Sequence, residues 1–243
     1  MPVALVTGAS KGIGAACALA LAESGYDLGL TFAEDRAGAE QVAERVTAAG
    51  RRAHVCRAEA RDPGSAPAVV TEVEDTLGPL DALVANAGIT RDGPAVRMTG
   101  EAWRAPIEIN LTGTMLAVRA VLAGMMRRGS GSVVAISSVV GSQGNAGQAN
   151  YAASKAGLVG LVRSLAREAG PAGVRVNAVA PGYVTTRLTD ALADAQRDRL
   201  LAATALGRLG APSDVAGPVA WLCSAAAAFV TGAVLAVDGG LRL

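Results

Sequence analysis

The chain has 243 residues, 51% of them hydrophobic and 18% charged, and a formal net charge of +1. That length suits one three-layer α/β unit, and the composition points to a large core and against disorder. Without a basic stripe or an acidic tail, nucleic acid is not an expected partner.

Met1-Pro2-Val3 runs straight into an apolar strand, Val3–Thr7, with no basic segment or cleavage signature, so a cytoplasmic protein is expected. A glycine-rich turn, Gly8-Ala-Ser-Lys-Gly12-Ile-Gly14, leads into a helix over Ile13–Ser24 that Gly25 closes. A strand, Asp27–Phe32, and a helix running to about Ala49 and closed by Gly50 come next. The third strand, Ala53–Cys56, carries the only histidine, His54, which excludes a multi-histidine metal site and leaves a serine–histidine nucleophile without a natural partner. No metal site is expected. Cys17, Cys56 and Cys223 form no Cys-x-x-Cys pair and read as small buried hydrophobes in a reducing compartment.

The fourth strand is Ala82–Asn86. One long periodic segment, Gly100–Arg128, follows, with apolar positions at Ile107, Leu111, Met115, Val118, Leu122 and Met125. Then come a strand, Ser132–Ser137, a helix, Tyr151–Glu168, stopped by Gly170-Pro171, and a strand, Val174–Ala180. Val215–Val237 carries no charge and is long enough to span a bilayer, but Gly217-Pro218 and Thr231-Gly232 interrupt it. It reads as a helix, Val215–Ser224, a turn and a buried strand, Ala233–Val237, so no membrane is expected. Strand–helix alternation predicts a single α/β domain: a doubly wound parallel sheet of about seven strands with helices on both faces.

Three motifs carry chemistry. The glycine turn lies between the first strand and a helix, where backbone N–H groups and the helix dipole suit a pyrophosphate, although its spacing is not that of the usual dinucleotide fingerprint. Asn86-Ala87-Gly88 ends the fourth strand with small residues that leave room for a cofactor; an ordinary turn needs the same residues. Tyr151 and Lys155 stand one helical turn apart on one face, so an ammonium beside a phenol favours phenolate and equips the pair to donate a proton to a carbonyl oxygen. A tyrosine and lysine at this spacing also occur as a plain surface pair. Lysine is otherwise found here only at Lys11; every other basic position is arginine, which does not replace a compact ammonium. Ser138 follows the fifth strand at the sheet edge where ligands bind.

With Asn86-Ala-Gly-Ile-Thr-Arg-Asp92, Asn110-Leu-Thr-Gly, Ile136-Ser-Ser-Val-Val-Gly141, Gly147-Gln-Ala-Asn-Tyr-Ala-Ala-Ser-Lys155, Val176-Asn-Ala-Val-Ala-Pro-Gly182 and Val237-Asp-Gly-Gly240, the whole chain resembles the short-chain dehydrogenase/reductases. Within them it is most similar to the 3-oxoacyl-[acyl-carrier-protein] reductases. The resemblance implies a Rossmann-type fold and a catalytic set of Asn110, holding a relay water, Ser138, bonding the substrate carbonyl, Tyr151, the acid, and Lys155. It implies cofactor contacts from Gly8, Ser10, Lys11, Gly12, Ile13, Gly14, Asn86, Ala87, Gly88, Tyr151, Lys155, Pro181, Gly182, Val184 and Thr186. Glu59, followed by Ala60, takes the place of the family's adenine-contacting aspartate. A substrate lid is implied over about 185–208, a homotetramer from the long helices and C-terminal segments, and an acyl-carrier-protein partner docked on Arg127 and Arg128, although Ala172 replaces a second docking arginine.

NADP(H) is the expected cofactor. Phe32 stands where an NAD site carries a carboxylate, and Lys11 and Arg36 are placed to meet a 2′-phosphate, with Glu34 and Asp35 expected to face solvent. The expected reaction is reduction of a 3-oxoacyl thioester to the 3-hydroxyacyl thioester. Alternatives are a reductase of a polyketide, steroid, sugar or small diketone, or a nucleotide sensor without turnover.

Overall fold

The computed structural model describes residues 1–185 and 194–241. Seven strands run β1 (Val3–Val6), β2 (Asp27–Phe32), β3 (Ala53–Arg57), β4 (Leu80–Ala85), β5 (Gly131–Ile136), β6 (Val174–Pro181) and β7 (Val234–Val237). They pair in parallel, in the order β3-β2-β1-β4-β5-β6-β7. Side chains alternate across a strand, so each strand feeds two cores. Ala4 and Val6 of β1, with Leu28 and Leu30 of β2, meet α1 (Gly12–Glu23), α2 (Arg36–Ala48) and α9 (Pro212–Cys223) through Leu21, Val46 and Val219. Val3 and Leu5, with Leu83 and Val133, meet the opposite layer: α3 (Ser65–Leu77), α5 (Gly113–Arg128) and α7 (Ala149–Ala169), through Val73, Met125 and Leu165. Helices on both faces explain why the strands read as unbroken apolar runs. This is the doubly wound, single-domain sheet that the alternation predicts.

The expected single helix over Gly100–Arg128 is three pieces. α4 (Gly100–Pro106) passes into a π-helical turn, Ile107–Thr112, and then α5. A π turn takes one residue more than an α turn, which periodicity does not register. It brings polar Asn110 to a fully buried position, while Val118, Leu122 and Met125 face the core as expected. The stretch has the length and mean hydropathy, 1.4, of a membrane span, yet here it packs on β4, β5, α3 and α7. α6 (Val140–Gln143) and α8 (Asp194–Ala203) complete the helices named here.

Candidate active site

Strand order reverses between β1 and β4, and the chain leaves both strands into a cleft of about 1290 Å³ at their carboxyl ends. Gly8, Ser10, Lys11, Gly12 and Ile13 form one wall, with Glu59 and Asn86–Gly88 beside them. Ser138, Tyr151, Lys155, Pro181, Gly182 and Val184 form the other. Gly14 and Asn110 stand behind this lining. Arg36 lines an adjoining groove of about 550 Å³ that shares Phe32 and Glu34 with the cleft and also includes Arg57. Thr186 lies outside the described residues, as do residues 186–193 of the expected lid.

The turn is shaped for a phosphate group. Gly8 has φ +66°, and a Cβ on Gly14 would sit 2.2 Å from the Gly8 carbonyl oxygen, so the chain doubles back where no side chain fits. Lys11, at the N-cap of α1, makes no side-chain cap hydrogen bond, which leaves the helix's first amides without a side-chain partner. Asn86 clamps the turn: its Nδ2 donates to the carbonyls of Thr7 and Gly8, both at 3.0 Å. The Thr7 hydroxyl accepts from the backbone N–H of Asn86 and Ala87, and the Thr31 hydroxyl from Gly8. Sequence reasoning assigned Thr7 and Thr31 no role; their signal was a hydroxyl at a strand end, which many strands carry.

The catalytic residues come from three elements. Ser138 follows β5, Tyr151 and Lys155 lie in the first half of α7, and Asn110 lies in the π turn. Ser137 joins β5 to α7, its hydroxyl donating to the Lys155 carbonyl at 2.9 Å. Asn150 bonds the carbonyls of Arg91 and Ala102 and accepts from the Tyr151 N–H at 2.7 Å, fixing the start of α7. Burial pushes the Tyr151 phenol up to about 12, a hydrogen bond with Ser138 draws it down, and Asp92 and Tyr183 raise it. Lys155 is buried; its Nζ donates to the Ile136 carbonyl at 2.7 Å and stands 5.6 Å from the Tyr151 ring centroid. Burial pulls its amine down to about 8.

Ser138 draws the phenol down, and the Lys155 ammonium donates to the Ile136 carbonyl while standing 5.6 Å from the Tyr151 ring centroid. The Asn110 amide is committed to the chain: it accepts from Ile89 N–H at 2.8 Å and donates to the Ile89 carbonyl and the Ser154 hydroxyl, both at 3.0 Å. Asn110 thereby holds the segment after β4 against α7, beside Lys155.

The adenosine end of the cleft differs from expectation in one charge. Asp35 turns only partly from solvent: it caps α2, accepting from Gly38 N–H at 2.9 Å, and stands 4.0 Å from Lys11 Nζ with 38% of its side chain exposed. An uncapped helix start leaves amides unpaired, which explains the inward turn. Arg36 pairs with Glu40 at 2.7 Å on the exposed face of α2. Glu59 is exposed and accepts from Arg61 N–H at 3.2 Å.

The sequence model of a family described as Enoyl-(Acyl carrier protein) reductase matches residues 8–242. The chain is 43% identical over 240 residues to the 3-oxoacyl-[acyl-carrier-protein] reductase FabG of Staphylococcus aureus, covering 99% of this chain and 98% of that one. To the proteins of the same name from Vibrio cholerae and Escherichia coli it is 46% and 44% identical over 241 residues, covering 99% of this chain and 97% of each relative. With the glycine turn, the Ser138–Tyr151–Lys155 cluster and the sheet that joins them, these matches place the chain in the short-chain dehydrogenase/reductase family, as an oxidoreductase that uses a nicotinamide cofactor.

Proposed function

We propose that the chain reduces a 3-oxoacyl thioester, carried on acyl-carrier protein, to the 3-hydroxyacyl thioester with NADPH. The observation that carries this reading is that the Ser138 and Tyr151 side chains line one wall of the cleft, with Ser138 close enough to draw the phenol down. The family description names an enoyl reductase and the relatives are named 3-oxoacyl reductases, so the bond reduced is C=C in one name and C=O in the other. Two convergent hydroxyls suit a carbonyl oxygen, which gains a proton, and the relatives' shared name favours the 3-oxo group as that carbonyl.

The uncapped amides of α1 and the Gly8–Gly14 turn are placed to hold the pyrophosphate, and Gly88, Pro181 and Gly182 leave room beside them. When bound, the cofactor supplies a hydride to the carbonyl carbon. Ser138 holds the oxygen. Tyr151, protonated at neutral pH, gives that oxygen its proton. Lys155, fixed by the Ile136 carbonyl, presents a cation near Tyr151, and Asn110 positions the wall opposite.

The preference for the 2′-phosphate rests on Phe32, which offers no carboxylate at the end of β2, and on Lys11 at the turn. Asp35 offsets part of the Lys11 charge, so preference should be moderate. Steady-state kinetics with both cofactors tests this together with the substrate class. NADPH should give the higher kcat/KM, Lys11→Ala should narrow the gap, and a carrier-bound 3-oxoacyl thioester should outperform a simple ketone or diketone. An equal or higher kcat/KM with NADH would overturn the cofactor assignment, and a faster diketone would overturn the substrate.

Arg127 and Arg128 end α5, 16 residues and so about 24 Å of helix from its start beside Asn110. Arg128 bonds the Leu80 carbonyl and lies 3.9 Å from Glu74. These arginines therefore stand at the far end of α5 from the cleft, where the proposed acyl-carrier protein would dock. A cytoplasmic homotetramer completes the proposal: Phe229, 103% exposed, and the partly exposed strand β7 at the sheet edge offer apolar surface for another copy to cover. Light scattering should give four chain masses; a monomer mass at micromolar concentration would defeat it.

A further inference from the structure

Away from the cleft, His54, Cys56 and Glu72 bring three ligand atoms within 4.8 Å of one another. His54 and Cys56 are two residues apart on β3, so both side chains emerge on the same face, toward α3, which carries Glu72. His54 Nε2 lies 2.8 Å from a Glu72 carboxylate oxygen, and the Cys56 sulfur lies within 4.8 Å of both groups. We propose that imidazole, thiolate and carboxylate here bind one zinc ion per chain, tying the edge strand β3 to α3.

The donor set is that of zinc and not of magnesium or calcium, which take oxygen ligands. Zinc bonds of about 2.0–2.3 Å place tetrahedral ligand atoms roughly 3.3–3.7 Å apart. The three groups reach that spacing by opening the His54–Glu72 contact and drawing the sulfur inward, which the half-exposed Glu72 side chain permits. Cys56 is buried and sits in the strand, so one ligand is rigid. Glu72 also borders the groove lined by Glu34, Arg36, Val55 and Arg57, which gives an ion a path from solvent. A water completes the fourth position. Binding replaces the S–H bond of Cys56 by a Zn–S bond and releases that proton to solvent; no electron moves. The resulting Zn²⁺, thiolate and carboxylate sum to zero charge. Spacing along the chain hides the site, since Glu72 comes from the next element and no Cys-x-x-Cys or His-x-x-x-His run marks it.

Tag-free protein stripped with a chelator is titrated with Zn²⁺ against a chromophoric chelator, and separately with Co²⁺. One equivalent per chain is expected, with one proton released and a Tm that rises with zinc. Co²⁺ should give a thiolate charge-transfer band. The band should vanish in Cys56→Ser and persist in Cys17→Ser/Cys223→Ser, and zinc affinity should fall at least about tenfold in His54→Ala. Reductase turnover of each variant confirms that it is folded, and should Cys56→Ser fail to fold, His54→Ala alone decides. Absence of stoichiometric binding overturns the proposal, as does a zinc affinity in His54→Ala that falls by less than about tenfold.

Discussion

Tyr151→Phe is expected to lose about 10²–10⁴-fold in kcat while cofactor affinity stays close to that of the wild type. The substitution removes one hydroxyl and keeps the ring that fills the wall of the cleft. Ser138, Lys155 and the glycine turn are left in place. Burial holds the phenol near 12, so at neutral pH the group stands ready as a proton donor, which is the form that reduction needs. The reverse reaction needs phenolate and should quicken as pH rises toward that value. Single-turnover kinetics with a fluorescence titration of cofactor separates the two quantities. A loss below tenfold would remove Tyr151 from the role of acid.

Lys155→Met is expected to change how stability depends on pH, alongside a loss of turnover. In the folded chain burial draws the Lys155 amine from 10.5 to about 8, and unfolding restores it. Between these values the unfolded chain holds one proton more than the folded chain, so this group makes stability rise with pH. Below about pH 8 the charge is buried at its full cost, and that cost fades as pH rises from about 8 to 10.5. The full span corresponds to about 3 kcal/mol. The methionine variant lacks this effect, so its stability relative to wild type should be highest near pH 6–7 and fall by up to about 3 kcal/mol by pH 10.5. The thiols of Cys17, Cys56 and Cys223, held up near 12, act in the opposite sense in both proteins and cancel in the difference. Urea unfolding of both chains from pH 6 to 10.5 measures it. A constant difference would mean that Lys155 does not carry a buried charge.

Much of this fold is written in the sequence because the sheet is buried on both faces. β2 occupies Asp27–Phe32 as its apolar run predicts, and β6 and β7 differ from expectation by one residue at one end. β4 begins at Leu80, two residues before the run suggests. Asp81 conceals that start, since its carboxylate accepts from Val3 N–H at 2.8 Å, a long-range bond that composition does not reveal. The π turn is hidden for a related reason: Ile107, Leu111 and Met115 keep a helical rhythm across it. At the site, Lys155 stood out because the only other lysine is Lys11, Tyr151 because it lies one helical turn from Lys155, and Ser138 through its place after the fifth strand and the family resemblance. Which carboxylate meets Lys11 was not legible. Asp35 and Glu34 both lie in the loop after β2, and only the demand of α2 for a cap turns Asp35 inward. The His54–Cys56–Glu72 cluster was equally silent, as packing of α3 on β3 assembles it.

The central claim is that this cleft protonates a carbonyl oxygen, and a competition experiment tests it most directly. The enzyme and NADPH are given equal amounts of a 3-oxoacyl thioester and a 2-enoyl thioester of the same chain length, and the products are resolved by mass and chromatography. The Ser138–Tyr151 geometry predicts that the 3-hydroxyacyl thioester accumulates while the enoyl thioester persists, and that Tyr151→Phe stops this. Saturation of the enoyl thioester with the 3-oxoacyl thioester left intact would contradict the account.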